Sequence, residues 1–174
     1  IGALAHPGIV TVHDAGIDGR RAWIAMELLK GRDLRQLRRE GWRATPQQAA
    51  LICRRVADAL AYAHAKGVVH RDIKPANIFM VGRTQPRVLD FGIAKIAAGA
   101  RGADADADGR DADPMRGAGS PHFMSPEQHR GEAGDRRVDV YALGTVLYEL
   151  LADRKPYVGD TLAAIREKVL RGDA

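Results

Sequence analysis

Two hydrophobic periods alternate along the chain. Residues 9 to 13 (IVTVH) and 23 to 29 (WIAMELL) are β-branched or apolar runs separated by the turn-rich AGIDGRR, a pattern that predicts two strands with a hairpin-like connection. A pair of strands alone is marginal in water, so both are expected to belong to a larger sheet whose other strands precede Ile1. From Asp33 to Arg39 the leucines 34 and 37 share one side of a short amphipathic helix that ends near Gly41. A clearer helix follows, with Thr45 as N-cap, Pro46 at the first helical position, Gln48 completing a capping box and Gly67 as the stop. Between them Ile52, Val56, Leu60 and Ala63 recur at helical spacing and predict one buried face.

Val68 to Met80 shows no sustained helical period and reads as short strands flanking a loop, with Arg87 to Leu89 as another short strand. From Ala97 to Gly119 the composition falls to Ala, Gly, Asp and Arg with Met115 as the only large apolar side chain, too little apolar surface to order a segment. Val138 to Ala152 carries apolar residues around its whole circumference and predicts a central helix buried on nearly all sides. A last helix, about Thr161 to Arg171, presents Leu162, Ile165 and Val169 and stops at Gly172.

Composition narrows the function classes. At 174 residues and 45% apolar content the chain is one globular domain's worth. Its net charge is +5, but the arginine pairs at 20/21, 38/39, 54/55 and 136/137 are spread out and only 5% of residues are aromatic. That describes a solvated basic surface; nucleic-acid binding would want a gathered stripe with aromatics for stacking. The single cysteine, Cys53, cannot close an intrachain disulfide, lies in a helical pattern and is expected in the core of a protein from a reducing compartment. No apolar run approaches the roughly 18 residues of a membrane span and no signal segment opens the chain, which together predict a cytoplasmic location. The first methionine is Met26, so missing ends are expected.

The chemistry concentrates in His70-Arg71-Asp72-Ile73-Lys74-Pro75-Ala76-Asn77 and, thirteen residues after Asn77, Asp90-Phe91-Gly92. Moving a phosphoryl group from ATP to a hydroxyl needs a carboxylate to orient the hydroxyl, a cation on the moving group and oxygen ligands for Mg²⁺. Asp72 can accept the hydroxyl proton, Lys74 can reach the γ-phosphate, and Asn77 with Asp90 offers hard oxygen donors to magnesium.

HRDIKPANI, DFGIAK, GSPHFMSPEQ and DVYALG stand in an order and spacing by which the chain resembles the eukaryotic-like (Hanks-type) serine/threonine protein kinases that bacteria carry. The resemblance spans essentially the whole chain. It implies an α+β, protein-kinase-like fold, incomplete at both ends: residues 1–29 would close the N-lobe and form the hinge, and 30–174 would be a mostly helical C-lobe through a helix like the family's αG. It further implies ATP and Mg²⁺ as cofactors and protein Ser/Thr side chains as substrates. Carried over by position, Met26 looks like the gatekeeper, Glu27 to Leu29 the hinge that meets adenine, and Phe79 the side chain beneath the adenine ring. Asp72, Lys74 and Asn77 would be catalytic and Asn77 with Asp90 would hold the metal. Phe91, His70 and Val12 would stack in the regulatory spine, with Gly92 completing the DFG triplet. Asp139 would accept backbone N–H groups of the catalytic loop, Ser120 would contact Asp72 and Lys74, and Ser125-Pro126-Glu127 would end the activation segment. A tether to the membrane, common in such kinases, would lie outside this chain.

Some family parts are absent from these residues. There is no GxGxxG, no GxxxxGK[ST], and no lysine in a strand before the hinge, the six lysines being 30, 66, 74, 95, 155 and 168. The arginine that would pair with Glu127 is missing as well. These 174 residues alone are therefore expected to bind Mg-ATP weakly, and the rival reading is a non-catalytic kinase remnant that binds partners through its last two helices. A relative acting on a small-molecule hydroxyl fits less well, because GSPHFMSPEQ resembles a peptide-substrate platform. Arg71 resembles the arginine that docks a phosphorylated activation segment, yet no Ser, Thr or Tyr lies between Phe91 and Gly119; Asp104, Asp106, Asp108, Asp111 and Asp113 are candidates for a permanent negative charge. DADADG imitates the opening of a calcium loop, but the twelfth position falls on Met115 where a Glu is needed. His64 and His70, six apart across a helix end, do not make a zinc site.

Overall fold

The computed structural model describes residues 4–19, 21–82, 84–91 and 120–173. Gly92, Lys95, the five aspartates of 104–113 and the calcium-like motif lie outside the described residues.

Strands β1 (Val12–Asp18) and β2 (Arg21–Met26) pair antiparallel, from Val12 opposite Met26 to Asp18 opposite Arg21. The expected strand at 9–13 is split. Ile9 and Val10 lie alongside Val88, with Val10 N–H donating to the Val88 carbonyl at 3.0 Å and Val88 N–H to the Gly8 carbonyl at 2.8 Å. The hairpin strand then runs through Ala15–Asp18, which the composition had marked as turn; the turn itself is two residues long, beginning at Gly19 with φ +57°. Such a tight turn needs positive φ, which glycine adopts without a steric penalty.

A second sheet joins β3 (Arg32–Asp33), β4 (Ile78–Val81) and β5 (Gln85–Val88), all antiparallel, with Asp33 opposite Phe79 and Ile78 opposite Val88. The reading of strands on both sides of a 68–80 loop is corrected here. Val68 to Lys74 forms no strand, and the partner of Ile78–Val81 comes from the short β3, too brief a pairing to leave a periodic trace in sequence. Gly31 precedes it at φ +156°, where a Cβ would collide with the Met80 carbonyl oxygen, so the close backbone approach of the two segments depends on glycine.

Helix α1 (Leu34–Arg39) is capped by Asp33, whose carboxylate accepts from Gln36 N–H at 2.8 Å. Helix α2 (Pro46–Ala65) opens on the expected capping box: Thr45 Oγ1 accepts from Gln48 N–H at 3.2 Å and Gln48 Oε1 from Thr45 N–H at 2.9 Å. Its buried face is Ala49, Ile52, Cys53, Val56, Ala59, Leu60 and Ala63. Burial pushes the Cys53 thiol up to about 11, so it behaves as a small core hydrophobe. Helices α3 (Pro126–His129), α4 (Arg137–Ala152) and α5 (Leu162–Arg171, capped by Thr161 and closed by Gly172) complete the chain. α2 packs against α4 through Ala142, Val146 and Leu150, and one continuous core joins them to Ile9, Leu34, Ile73, Ile78 and Val88.

The expectation of an α4 buried on nearly all sides does not hold: Val140 is 63% and Leu151 52% exposed. The apolar residues do surround the helix, but α2 and the 3₁₀ turn Pro121–Phe123 cover only part of its circumference. Among the described residues no helix is long and apolar enough to cross a membrane.

Candidate active site

After Gly67 the chain crosses the end of α4 without regular structure, and a buried carboxylate holds its course. Asp139, with no exposed surface, accepts from His70 N–H at 2.9 Å, from Arg71 N–H at 2.7 Å and from His64 Nε2 at 2.7 Å. Two consecutive amides pointing at one carboxylate force the backbone to turn, and Arg71 sits at φ +69°. A buried carboxylate is tolerated only when its lone pairs are occupied, as they are here.

His70 is fixed from both ring nitrogens. Its Nε2 donates to the Leu89 carbonyl at 2.7 Å and its Nδ1 accepts from Asp72 N–H at 3.2 Å, a pair of contacts that requires the neutral Nε2–H tautomer. Burial pulls its pKa below the usual value, in line with that neutral form. The ring meets Phe91 edge-on at 4.7 Å between centroids. Val12, the third residue expected in that stack, is 42% exposed on β1 and does not belong to the buried core.

The polar groups converge on Asp72. Lys74 Nζ lies 2.6 Å from Asp72 Oδ2, and Asn77 Nδ2 donates to the Asp72 carbonyl at 2.8 Å and to Oδ2 at 3.1 Å. Pro75 starts the 3₁₀ turn Pro75–Asn77 that reverses the chain within reach of Asp72. Leu89 N–H donates to the Asn77 carbonyl at 2.9 Å, which brings Asp90, at φ +64°, beside Asn77. Asn77 spends its amide N–H groups on Asp72, and its side-chain oxygen has no hydrogen-bond donor among the described residues. One amide oxygen and one carboxylate form an oxygen-only donor pair, and no cluster of three metal-binding side chains exists among the described residues. That suits Mg²⁺, which keeps waters and substrate oxygens in its shell, and does not suit zinc.

The residues expected to form the hinge make no hydrogen bond to this cluster among the described residues. Glu27 N–H donates to the Thr11 carbonyl at 2.9 Å, and Glu27 Oε1 accepts from Thr11 N–H at 2.9 Å and approaches Arg87 at 3.7 Å. Beyond Met26 the chain leaves the ladder, and neither the Glu27 carbonyl nor the Leu29 N–H has a partner among the described residues. Phe79 lies on β4, partly exposed, against Gly31. Ser120 is partly exposed and lines a cleft of about 600 Å³ with Lys74, Pro75 and Phe123, without a hydrogen bond to Lys74 or Asp72. The contact expected between them is absent from this arrangement, because Lys74 is turned onto Asp72. Glu127 stands in the first turn of α3, whose cap, the fully buried Ser125, shares a capping box with Gln128; Gln128 Nε2 in turn donates to the Arg71 carbonyl at 3.1 Å.

Sequence reasoning missed His64. Its place in the last turn of α2 and the short span to His70 carried the signal, but the partner is 75 positions away on α4. It also missed Gln128 as the tie from α3 to the catalytic loop.

The protein kinase domain family matches residues 1–172 of the chain. Similar proteins include a probable serine/threonine-protein kinase, CE0033, of Corynebacterium efficiens, 41% identical over 94% of this chain and 24% of its own length. The serine/threonine-protein kinase PknB of Mycobacterium leprae is 37% identical over 98% of this chain and 27% of its own length. PkaA of Streptomyces coelicolor, also a serine/threonine-protein kinase, is 38% identical over 98% of this chain and 30% of its own length. The chain thus spans about a quarter of the length of the curated relatives it matches. With the four ordered motifs, the Asp139-anchored loop and the Asp72–Lys74–Asn77 cluster, these matches make the chain a member of the protein kinase domain family.

Proposed function

We propose that the protein transfers the γ-phosphoryl group of ATP to Ser or Thr hydroxyls of protein substrates. The observation that carries this is the convergence of Lys74 Nζ and Asn77 Nδ2 on one oxygen of Asp72, at 2.6 and 3.1 Å. Both donors occupy Oδ2, which leaves Oδ1 to accept the proton of an incoming hydroxyl and to orient it. Lys74 then carries positive charge to the side where the phosphoryl group arrives, and needs only a rotation about its flexible stem to reach it. Asn77 Oδ1 and the Asp90 carboxylate would hold Mg²⁺, which supplies charge neutralisation on the phosphate oxygens. On this reading the unpaired backbone groups of Glu27 and Leu29 receive the adenine and Phe79 packs against it, residues 1–29 being the end of the N-lobe with the hinge and residues 30–174 the C-lobe. Asp139, His64 and His70 act as positioning residues for the loop. The names of the relatives support the same activity and substrate class.

The test is phosphoryl transfer by the natural full-length polypeptide. Asp72→Asn is expected to lower the rate by about 10³-fold, within the range for loss of a general base, with an unchanged melting temperature. A variant as active as the parent would overturn the assignment of Asp72. The 174-residue chain assayed beside it is expected to transfer weakly, since it has no glycine-rich loop or strand lysine.

A further inference from the structure

We propose that the cleft beside Lys74 selects peptide substrates whose accepting hydroxyl is flanked by acidic side chains. The proposal rests on the phosphoryl-transfer reading above and names its substrate class. Six cationic side chains and two carboxylates line the cleft, among them Arg38 and Arg39 of α1, Lys155 beyond α4, and the two acids Glu149 and Asp153.

The two acids are already occupied from within the chain. Arg38 Nη1 pairs with Glu149 Oε1, and the two side chains are only 15% and 10% exposed. Arg38 Nη2 lies 2.9 Å from Asp153 Oδ1, and Arg43 Nε lies 2.8 Å from Asp153 Oδ2. Those hydrogen bonds hold the Asp153 carboxyl below its usual range, so it stays ionised and bound to its arginines. Glu149 Oε2 is buried without a hydrogen-bond partner among the described residues, but a cation approaching it would meet the Arg38 guanidinium as well. The two acids that could attract a basic peptide are therefore neutralised by two arginines of the chain itself, Arg38 and Arg43.

The cations of the cleft are not neutralised to the same degree. Arg39, which is exposed, and Lys155, which is partly exposed, make no ion pair among the described residues, and Arg35 reaches only Asp33, at 3.8 Å. Phe123 and Pro75 add apolar wall to the same cleft. A concave surface carrying one sign of unpaired charge focuses its field on the ligand, attracts the opposite sign and rejects the like sign. Because Lys74, whose amine touches the Asp72 carboxylate, lines the same cleft, a peptide held there presents its hydroxyl to the reacting group with its neighbours on the basic surface.

Two peptides test this: an acceptor threonine flanked by glutamates and the same peptide flanked by arginines, both fluorescently labelled. Binding is read by anisotropy, and transfer by phosphate incorporation with the natural full-length polypeptide. The glutamate peptide is expected to bind and react about tenfold better, equivalent to about 1.4 kcal/mol, with the difference falling in KM and shrinking as salt rises. Arg39→Glu with Lys155→Glu should remove the preference, and the exposed Arg54→Glu on α2, away from the cleft, should keep it. Equal binding of both peptides, or preference for arginine, would overturn the proposal while leaving the kinase assignment standing. Glutamate-selective binding without any transfer would uphold the cleft and overturn the assignment of activity instead. A phosphoserine-flanked peptide as a third arm separates carboxylate from phosphate recognition: stronger binding of the glutamate peptide supports the proposal, and binding of phosphate alone rejects it.

Discussion

The 70–77 loop and the β1–β2 hairpin are both short stretches of chain with many polar residues, yet they are held by opposite means. From His70 to Asn77 the backbone donates to a carboxylate of 0% exposure and to a histidine of 2% exposure and accepts from Leu89 N–H, the His70 ring is tied in turn to the Leu89 carbonyl, and most of the polar side chains have named partners. In the hairpin the ladder supplies the order, and large side chains stay in water: Ile17 is 58% and Trp23 44% exposed. A buried multidentate contact defines position to a fraction of an ångström because its loss leaves donors unpaired in a low dielectric. An exposed ladder loses little when one side chain changes. The phosphoryl transfer proposed for this protein would depend on placement, and the acid, the lysine and the amide proposed for it lie in the region of the first kind.

The largest blow to that contrast would come at Asp139. Asp139→Ala removes the acceptor of three donors at once and is expected to cost about 3–5 kcal/mol of unfolding free energy, measured by urea denaturation. A loss of less than about 1 kcal/mol, the size of a surface effect, would abolish the distinction between the two regions.

A graded effect follows from pH. Burial lowers the pKa of His70 and of His129, so between their folded values and the ordinary histidine pKa of about 6.5 the unfolded chain binds more protons than the folded one. Stability is therefore fully present above about pH 6.5 and falls as the pH drops, by no more than about 1.4 kcal/mol per unit for each histidine. Melting temperatures recorded from pH 7.5 to pH 5 should decline, and a flat profile would show that neither ring is held neutral.

The smallest effect is expected in the hairpin. Ile17→Thr, at an exposed strand position that keeps a β-branched side chain, should change unfolding free energy by less than about 0.5 kcal/mol in the same urea measurement. A loss comparable to that of Asp139→Ala would mean that the hairpin side chains carry packing of their own.

Much of this arrangement was legible in the residues. Thr45, Pro46, Gln48 and Gly67 bound α2 because caps act through neighbours in sequence, and the helices at 137–152 and 162–171 follow from apolar spacing for the same reason. The order of HRDIKPANI and DFG pointed to the residues proposed for the site, and their chemistry to the roles proposed for them. The hairpin turn was misjudged because Ala, Gly and Asp at 15, 16 and 18 look like loop, while the strand pairing across them is decided by the opposite strand. The exposed side of α4 was misjudged because periodicity reports what a helix can bury and not what comes to cover it.

By itself, then, the sequence determined the caps, the buried face of α2, Ile165 and Val169 as the buried positions of α5 but not Leu162, which is exposed, and the family. Only the tertiary structure decided that one oxygen of Asp72 takes both Lys74 and Asn77, that Asp139 gathers His64, His70 and Arg71, and that Arg38 and Arg43 together neutralise Glu149 and Asp153 to leave a basic cleft. The first group rests on contacts within a few residues, whose geometry the local backbone sets. The second joins groups up to 115 positions apart, and their charges acquire partners only when folding brings them together.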